Sequence, residues 1–324
     1  MVFRNKKLIA FLLFLLVLIF SGCDGANLSS GSSNSDEKIH VGTEGLVMNF
    51  VENAPPNEIY VDTNDGTPFE ATLEIRNKGA FPEDSGLEGR LYIGGFDKTV
   101  IQDGRWIEGT TDGTLPSNLN GKGLGFPEGG YTIMSYLADS INFPFESDNY
   151  EPTVQVTACY EYQTSASPLI CIDKSPTSTS VATKACKVSD LSLSGGQGGP
   201  VAVTNIEQSG NSQKAIFKIY VQNSGNGRVI SRDKVMNECL DLKFNDVDEV
   251  AAQVSIQGLG NGDCTPTGSN EQPIRLVNGK GIIVCSFDLN GAQDDAYTTP
   301  LQIRLLYGYS TTISKKVNII NLNN

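Results

Sequence analysis

The sequence predicts an all-β protein made of two tandem β-sandwich domains related by internal duplication. Residues 154–164 alternate apolar and polar side chains with a period of two, which is typical of a half-buried strand. The same pattern returns at residues 301–311, at a constant offset of 147 that places Tyr160 on Tyr307. One strand that occurs twice, far apart in the chain, indicates one domain written twice.

Four further stretches repeat in the same order. They are residues 46–48 with 201–203, 73–79 with 219–225, 91–96 with 254–259, and 119–124 with 277–282. Their offsets range from 146 to 163, so the duplication predicts that loops were lengthened or shortened between shared strands, where such changes cost least. The second of these matches places Asn77 on Asn223.

Composition agrees with this fold class. The chain has 324 residues, which favours two domains, and 34 of them are glycine. Short alternating runs separated by Gly, Asn, Asp and Pro dominate, and helical periodicity is scarce. We predict a first sandwich over residues 40–188 and a second over 189–324, with about seven strands each, as in an Ig-like sandwich. Residues 231–242 are a possible short helix.

The N-terminus predicts export. Arg4, Lys6 and Lys7 precede an apolar run over residues 8–20, which is too short to span a membrane but typical of a signal peptide. The run ends in Ser-Gly-Cys23 and resembles the lipobox of prokaryotic lipoproteins, although Phe stands where Leu is usual. We therefore predict a signal peptide over 1–22, lipid on Cys23, and a polar tether over 23–39. An ordinary secretory signal and an uncleaved anchor remain alternatives.

The charge balance is acidic. The whole chain carries a net charge of −13. Without residues 1–22, it keeps 21 basic and 37 acidic residues, a balance of −16. This balance, without a basic patch, argues against nucleic acid as a partner and against electrostatic binding to anionic lipid.

Six cysteines remain if Cys23 carries lipid, and an even number in an exported chain predicts three disulfides. They are Cys159, Cys171, Cys186, Cys239, Cys264 and Cys285. A hairpin turning at residues 165–168 would place Cys159 opposite Cys171, so we predict that pair and leave the other four unassigned. A metal site is not expected, because no C-x-x-C pair occurs and His40 is the only histidine.

No residue pattern predicts catalysis. Histidine-dependent mechanisms need a histidine in the folded body, whereas His40 lies at the edge of the tether. Acidic loops at residues 62–66, 246–249 and 294–295 could bind calcium, but solvated turns are the default interpretation. Four tyrosines, two on one face of each repeated strand, could stack on sugars, although a buried core is the simpler interpretation. They are Tyr160, Tyr162, Tyr307 and Tyr309.

Two of the predicted strands run into an Asn-x-Gly turn. Residues 73–79 and 219–225 resemble CARDB-type and related Ig-like repeats of archaeal and bacterial cell-surface proteins. The resemblance implies a β-sandwich with an extracellular adhesive or spacer role, and it supplies no catalytic residues.

The sequence thus predicts a non-enzymatic, membrane-anchored module on the outer face of the cell membrane. No cofactor is expected, and the partner is an unknown surface protein or glycan. Two other classes stay open. They are a solute-binding lipoprotein of a transporter, which needs alternating strands and helices, and a carbohydrate-active envelope enzyme.

Overall fold

The computed structural model describes residues 39–62, 66–107, 111–143, 147–175, 184–266, 273–292 and 296–322. Residues 36–324 form one compact unit. No helix in the described ranges is long and apolar enough to cross a membrane. The predicted signal peptide, Cys23 and nearly all of the predicted tether lie outside these ranges, so their assignments stay predictions.

The protein is all-β, as the sequence predicts. The strands of the N-terminal half are β1 Leu46–Phe50, β2 Glu58–Val61, β3 Phe69–Asn77, β4 Gly89–Gly94, β5 Ile101–Gln102, β6 Arg105–Ile107, β7 Tyr131–Ala138, β8 Ser140–Ile141, β9 Asn149–Tyr150, β10 Thr153–Ala166 and β11 Leu169–Asp173. The strands that follow are β12 Leu191–Ser192, β13 Val201–Gly210, β14 Lys214–Asn223, β15 Arg228–Ile230, β16 Glu249–Ile256, β17 Gly260–Asn261, β18 Asp263–Thr265, β19 Ile274–Arg275, β20 Lys280–Asp288, β21 Ala296–Lys316 and β22 Asn318–Asn321. Short 3₁₀ turns cover Arg232–Lys234, Phe244–Asp246 and Leu289–Gly291.

The two repeated strands pair with each other. β10 runs antiparallel to β21, with Tyr160 opposite Tyr309 and Tyr162 opposite Tyr307. β9 pairs with β22, and β11 pairs with the start of β21. These pairs keep the register of β10 and β21, because the two residue numbers add up to the same total in every pair. The centre of this ladder is Glu161 opposite Gly308, two residues that are themselves one repeat offset apart. The ladder therefore has local two-fold symmetry about that pair.

Each half adds its own sheet to this shared ladder. β4 extends the shared sheet beside β10, and β16 extends it beside β21. The second sheet of the N-terminal half has the order β1-β3-β7-β6, and that of the C-terminal half has the order β12-β13-β14-β20-β18. One apolar core contains buried residues of both halves. The boundary predicted between residues 188 and 189 therefore does not separate independently packed bodies, and a shared ancestry of the halves stays a prediction.

The predicted turn at residues 165–168 is wrong. β11 continues β10 along the same edge of β21, because the pairing register does not change between them. Pro168 interrupts the strand, since proline has no N–H for the ladder. Its carbonyl nevertheless accepts a hydrogen bond from the Leu301 N–H at 2.9 Å. The strand tolerates one missing donor and does not reverse.

The C-terminal end of the chain does not stay in the predicted second domain. β22 pairs in parallel with β2 and antiparallel with β9. Its Ile319 is buried in a second apolar cluster whose other members are almost all residues of the N-terminal half. Apolar burial therefore places this last strand against the N-terminal half of the chain.

Two of the repeat matches shift when the pairing is known. Ile93 of β4 pairs with Val156, and Val254 of β16 pairs with the repeated residue, Ile303. Ile93 therefore corresponds to Val254, whereas the sequence match places Ile93 two residues further along β16. The match of residues 119–124 with 277–282 also fails. The Asn223 N–H donates to the Gly279 carbonyl, and the Asn77 N–H donates to the Gly130 carbonyl. Gly279 therefore corresponds to Gly130, which lies outside residues 119–124.

The short helix considered for residues 231–242 does not form. A 3₁₀ turn at Arg232–Lys234 passes into consecutive turns, and the Ser231 side chain binds the Glu249 carboxylate at 3.0 Å instead of capping a helix. Val235 and Cys239 are buried, whereas Leu240 is exposed. The Glu238 N–H donates to the Lys234 carbonyl at 3.1 Å, a single i to i−4 bond that does not extend into a helix. Packing of the two buried residues against the outer face of the shared sheet holds the segment in place.

Candidate functional site

The four tyrosines form a cluster at the centre of the shared ladder. Tyr160, Tyr162, Tyr307 and Tyr309 are at most 2% exposed. Their ring centroids lie 5.8–6.3 Å apart in edge-on and tilted contacts. Burial raises the pKa of all four hydroxyls above the ordinary range of tyrosine, so the rings stay neutral. Rings this buried cannot serve as a sugar-stacking surface, and the interpretation as core is correct.

The hydroxyl groups bind the start of each half in the same way. Tyr160 Oη accepts from the Leu46 N–H at 3.2 Å, and Tyr307 Oη accepts from the Val201 N–H at 3.2 Å. Leu46 and Val201 are matched residues in the repeat. The tyrosines therefore fix β1 and β13 against the shared sheet.

The second tyrosine of each strand contacts an asparagine. Tyr162 Oη lies 3.5 Å from Asn77 Oδ1, and Tyr309 Oη donates to Asn223 Oδ1 at 3.1 Å. The asparagine side chains in turn donate to the carbonyls of residues 81 and 227, at 2.8 and 3.0 Å. The Asn-x-Gly turns singled out in the sequence thus belong to hydrogen-bonding networks, which are buried at Asn77 and partly buried at Asn223.

The two residues at the centre of the ladder differ. The Glu161 carboxylate accepts from the Arg232 guanidinium at 2.6 Å. A side chain at Gly308 would meet Val235 at 2.7 Å and Ile230 at 2.8 Å. Arg232 and Val235 belong to the segment after β15, and Ile230 is the last residue of β15, so this segment lies over the outer face of the shared sheet.

All six predicted disulfide cysteines are paired, but the predicted Cys159–Cys171 pair is wrong. Cys159 bonds Cys239, across 80 residues. Because β10 and β11 run on in one direction, Cys159 and Cys171 are roughly 40 Å apart at about 3.3 Å per residue. Cys159 instead lies in a small apolar cluster with Ile230 and Val235, on the face away from the tyrosines.

The remaining pairs lie close in sequence. Cys171 bonds Cys186, at a separation of 15 residues, and Cys264 of β18 bonds Cys285 of β20, at a separation of 21. The second pair joins directly opposite residues of neighbouring strands. Disulfides are typical of oxidising compartments outside the cytoplasm.

The acidic loops do not form a metal site in the part of the chain that the structure describes. Asp246 caps the Lys243 N–H at 2.8 Å, and Glu249 binds Ser231 and Arg275. Residues 63–65 and 293–295, which belong to the other two candidate loops, lie outside the described ranges.

A cleft of about 540 Å³ lies at the free edge of the N-terminal half, between β4 and β6. The sequence does not predict it, because residues 98–130 are rich in Gly, Asp and Asn and contain few apolar residues. The only available signal was the chain's single tryptophan in that stretch. Lining residues include Ile93, Phe96, Gln102, Asp103, Trp106 and Tyr136.

No protein-family model matches this chain, and no curated protein matches it. Among solved structures, the CupB6 tip adhesin from Pseudomonas aeruginosa is 12% identical over 87% of this chain and 98% of its own, with a TM-score of 0.18. The partial N-terminal region of an enterococcal surface protein is 8% identical over 83% of this chain and 84% of its own, also with a TM-score of 0.18. At TM-scores this low, we infer neither fold nor function from either structure.

Proposed function

We propose that this protein is an exported, lipid-anchored, non-enzymatic module that presents a binding surface on the outer face of the cell membrane. The observation that carries the proposal is the joint between the halves, one antiparallel ladder closed by the Cys159–Cys239 disulfide. A body in which two sandwiches share a sheet and a core keeps its surfaces in fixed relative positions. Such rigidity suits a module that holds a ligand away from the membrane.

The two alternatives fit the described residues less well. A solute-binding lipoprotein of a transporter normally alternates strands and helices, whereas the regular elements here are strands and short 3₁₀ turns. A carbohydrate-active enzyme needs a placed pair of carboxyl groups. The buried tyrosine network has no carboxylate among its hydrogen-bond partners.

We also infer that the halves arose by duplication. Support comes from the constant offset of 147 between β10 and β21 and from matching hydrogen bonds at Asn77 and Asn223. A duplicated strand that pairs with its own copy produces a symmetric ladder centred on one residue pair, such as Glu161 with Gly308.

Anchoring is tested by mass spectrometry of the membrane-extracted protein. We expect Cys23 at the mature N-terminus, carrying lipid. A mature chain that begins elsewhere, with an unmodified Cys23, would reject the lipid anchor and leave export to be tested separately.

Rigidity is tested by replacing Cys159 and Cys239 with Ser. The disulfide closes a loop of about 80 residues, so its loss should lower the free energy of unfolding by about 4.5 kcal/mol in the chain-entropy model. Hydrogen exchange should then increase in residues 228–248, while the exchange of β3 and β14 should stay slow. Faster exchange throughout either half would show that the crosslink maintains the fold itself rather than the joint.

A further inference from the structure

We propose that the cleft between β4 and β6 binds a neutral saccharide. This inference rests on the proposed binding function and assigns its ligand class. The first support is a pair of backbone hydrogen-bonding groups at the free edge of β4. The Leu91 N–H points away from β10, because it donates to the Gly113 carbonyl at 2.8 Å. The period of two along a strand then directs the N–H and C=O of Ile93 to the same side. Among the described residues, no backbone group pairs with Ile93 there.

The corresponding position in the C-terminal half is closed by the chain itself. Val254 corresponds to Ile93, and its carbonyl accepts from the Gly262 N–H at 2.9 Å. β17 and β18 continue this cover over the edge of the half-sandwich. The backbone groups at this position are thus hydrogen-bonded within the chain in the C-terminal half, whereas in the N-terminal half they face the cleft.

The floor of the cleft is aromatic. The Trp106 and Tyr136 rings meet edge to face at 5.5 Å, and Phe96 lies 6.4 Å from Tyr136. A side chain on Gly104 would come within 1.9 Å of Tyr136 Oη, so only glycine lets the phenol lie against this turn. Phe96 and Tyr136 are half-buried, so part of each ring remains accessible.

The walls of the cleft are polar. Lys98, Gln102 and Asp103 line it, and Asp103 is exposed with a φ of 52°, a left-handed conformation that aspartate tolerates. A sugar ring has one apolar C–H face and a rim of hydroxyls, so it needs an aromatic surface together with donors and acceptors. The acidic balance of the chain favours a neutral sugar over an acidic one.

An extended peptide fits this edge less well. Residues 113–115 already cover the first half of β4 through hydrogen bonds to Gly89 and Leu91, and the strand ends at Gly94. The free edge is therefore about three residues long, shorter than the ladder on which strand addition depends for affinity. A saccharide needs no such ladder.

The test uses the only tryptophan of the chain as a reporter. Cellohexaose, chitohexaose, maltohexaose and mannohexaose are titrated into the intact protein while Trp106 fluorescence is followed. We expect a saturable change with at least one of them. Tyr136→Ala should weaken that binding about tenfold, a loss of about 1.4 kcal/mol. Asp103→Asn, which leaves the aromatic core intact, should weaken it several-fold.

Tyr131→Ala is the matched control, because Tyr131 lies on the same strand but on its exposed face, and it should leave binding unchanged. The inference is overturned if none of the four saccharides binds, or if binding is unaffected by both cleft variants. A peptide of residues 257–263, the stretch that covers the corresponding edge in the C-terminal half, is titrated as a further probe. The inference is also overturned if only this peptide binds. Cleavage of a bound probe would contradict the non-enzymatic function but not the ligand class, so the two failures are distinguishable.

Discussion

The two halves stabilise the same cross-strand position by different means. Trp106 of β6 lies opposite Tyr136 of β7, and the rings stack edge to face. In the C-terminal half, Cys264 of β18 lies opposite Cys285 of β20, and the two form a disulfide. These two pairs occupy corresponding positions. Leu73 and Ile219 are matched core residues, and Tyr136 lies two residues after the strand partner of Leu73, just as Cys285 lies two residues after the strand partner of Ile219.

The difference extends to the edge of each half. The disulfide draws β18 onto β20, and the preceding residues close the free edge of β16. The aromatic pair is bulkier, and the chain before it detours through β5, which pairs with β8 and leaves the edge of β4 open. A covalent bond between small residues permits a closed edge, whereas an aromatic pair leaves a cleft with a ring floor.

Alkaline pH should affect both halves at once and by the largest amount. Burial raises the pKa of Tyr160, Tyr162 and Tyr307 in the folded protein, while in the unfolded chain tyrosine titrates near pH 10. The unfolded state therefore loses protons first, and the stability that is fully present below pH 10 falls as pH rises above it.

Urea midpoints measured from pH 8 to pH 11.5 test this expectation. The protein should lose stability steeply above pH 10 and regain it when the pH is lowered. A flat profile up to pH 11.5 would mean that these hydroxyls are solvated in the folded state.

Trp106→Ala should destabilise the N-terminal half by about 3–5 kcal/mol, the usual cost of truncating a buried aromatic side chain. Unfolding monitored by hydrogen exchange should show the loss in β6 and β7 first. An equal loss in β18 and β20 would mean that the halves unfold only together and that the comparison between them is structural but not energetic.

Replacing Cys264 and Cys285 together with Ser should cost about 3 kcal/mol, because the disulfide closes a loop of about 20 residues. The loss should be read from the thermal midpoint under non-reducing conditions. Replacing Cys171 and Cys186, which close a loop of similar length, is the matched control. If the first pair costs much less than the second, the aromatic pair and the disulfide are not equivalent stabilisers of this position.

The smallest effects are expected for Tyr162→Phe and Tyr309→Phe. Each removes the hydroxyl next to one of the paired asparagines, and a typical hydrogen bond contributes about 1 kcal/mol. Similar losses in the two variants, measured by urea denaturation, would support duplication. A loss confined to one variant would show that the two networks have diverged in energy despite their matching geometry.

The sequence determined the all-β class, the repeated strand and the set of six disulfide cysteines. Local alternation of apolar and polar residues fixes which segments are strands, because each strand buries one face whatever its neighbours are. The repeat was readable for the same reason: Tyr160 and Tyr307 keep their spacing to the residues around them, and burial of the rings follows from that pattern.

Only the tertiary structure decided which strands meet. Alternation does not specify a pairing partner, so β11 could be placed on β10 by a plausible turn, although it pairs with β21 more than 120 residues away. The partner of Cys159 followed from that choice, since disulfide connectivity depends on which chain segments pack together. The open cleft depends on the path of a loop around Trp106, and no local pattern encodes the space that such a path leaves.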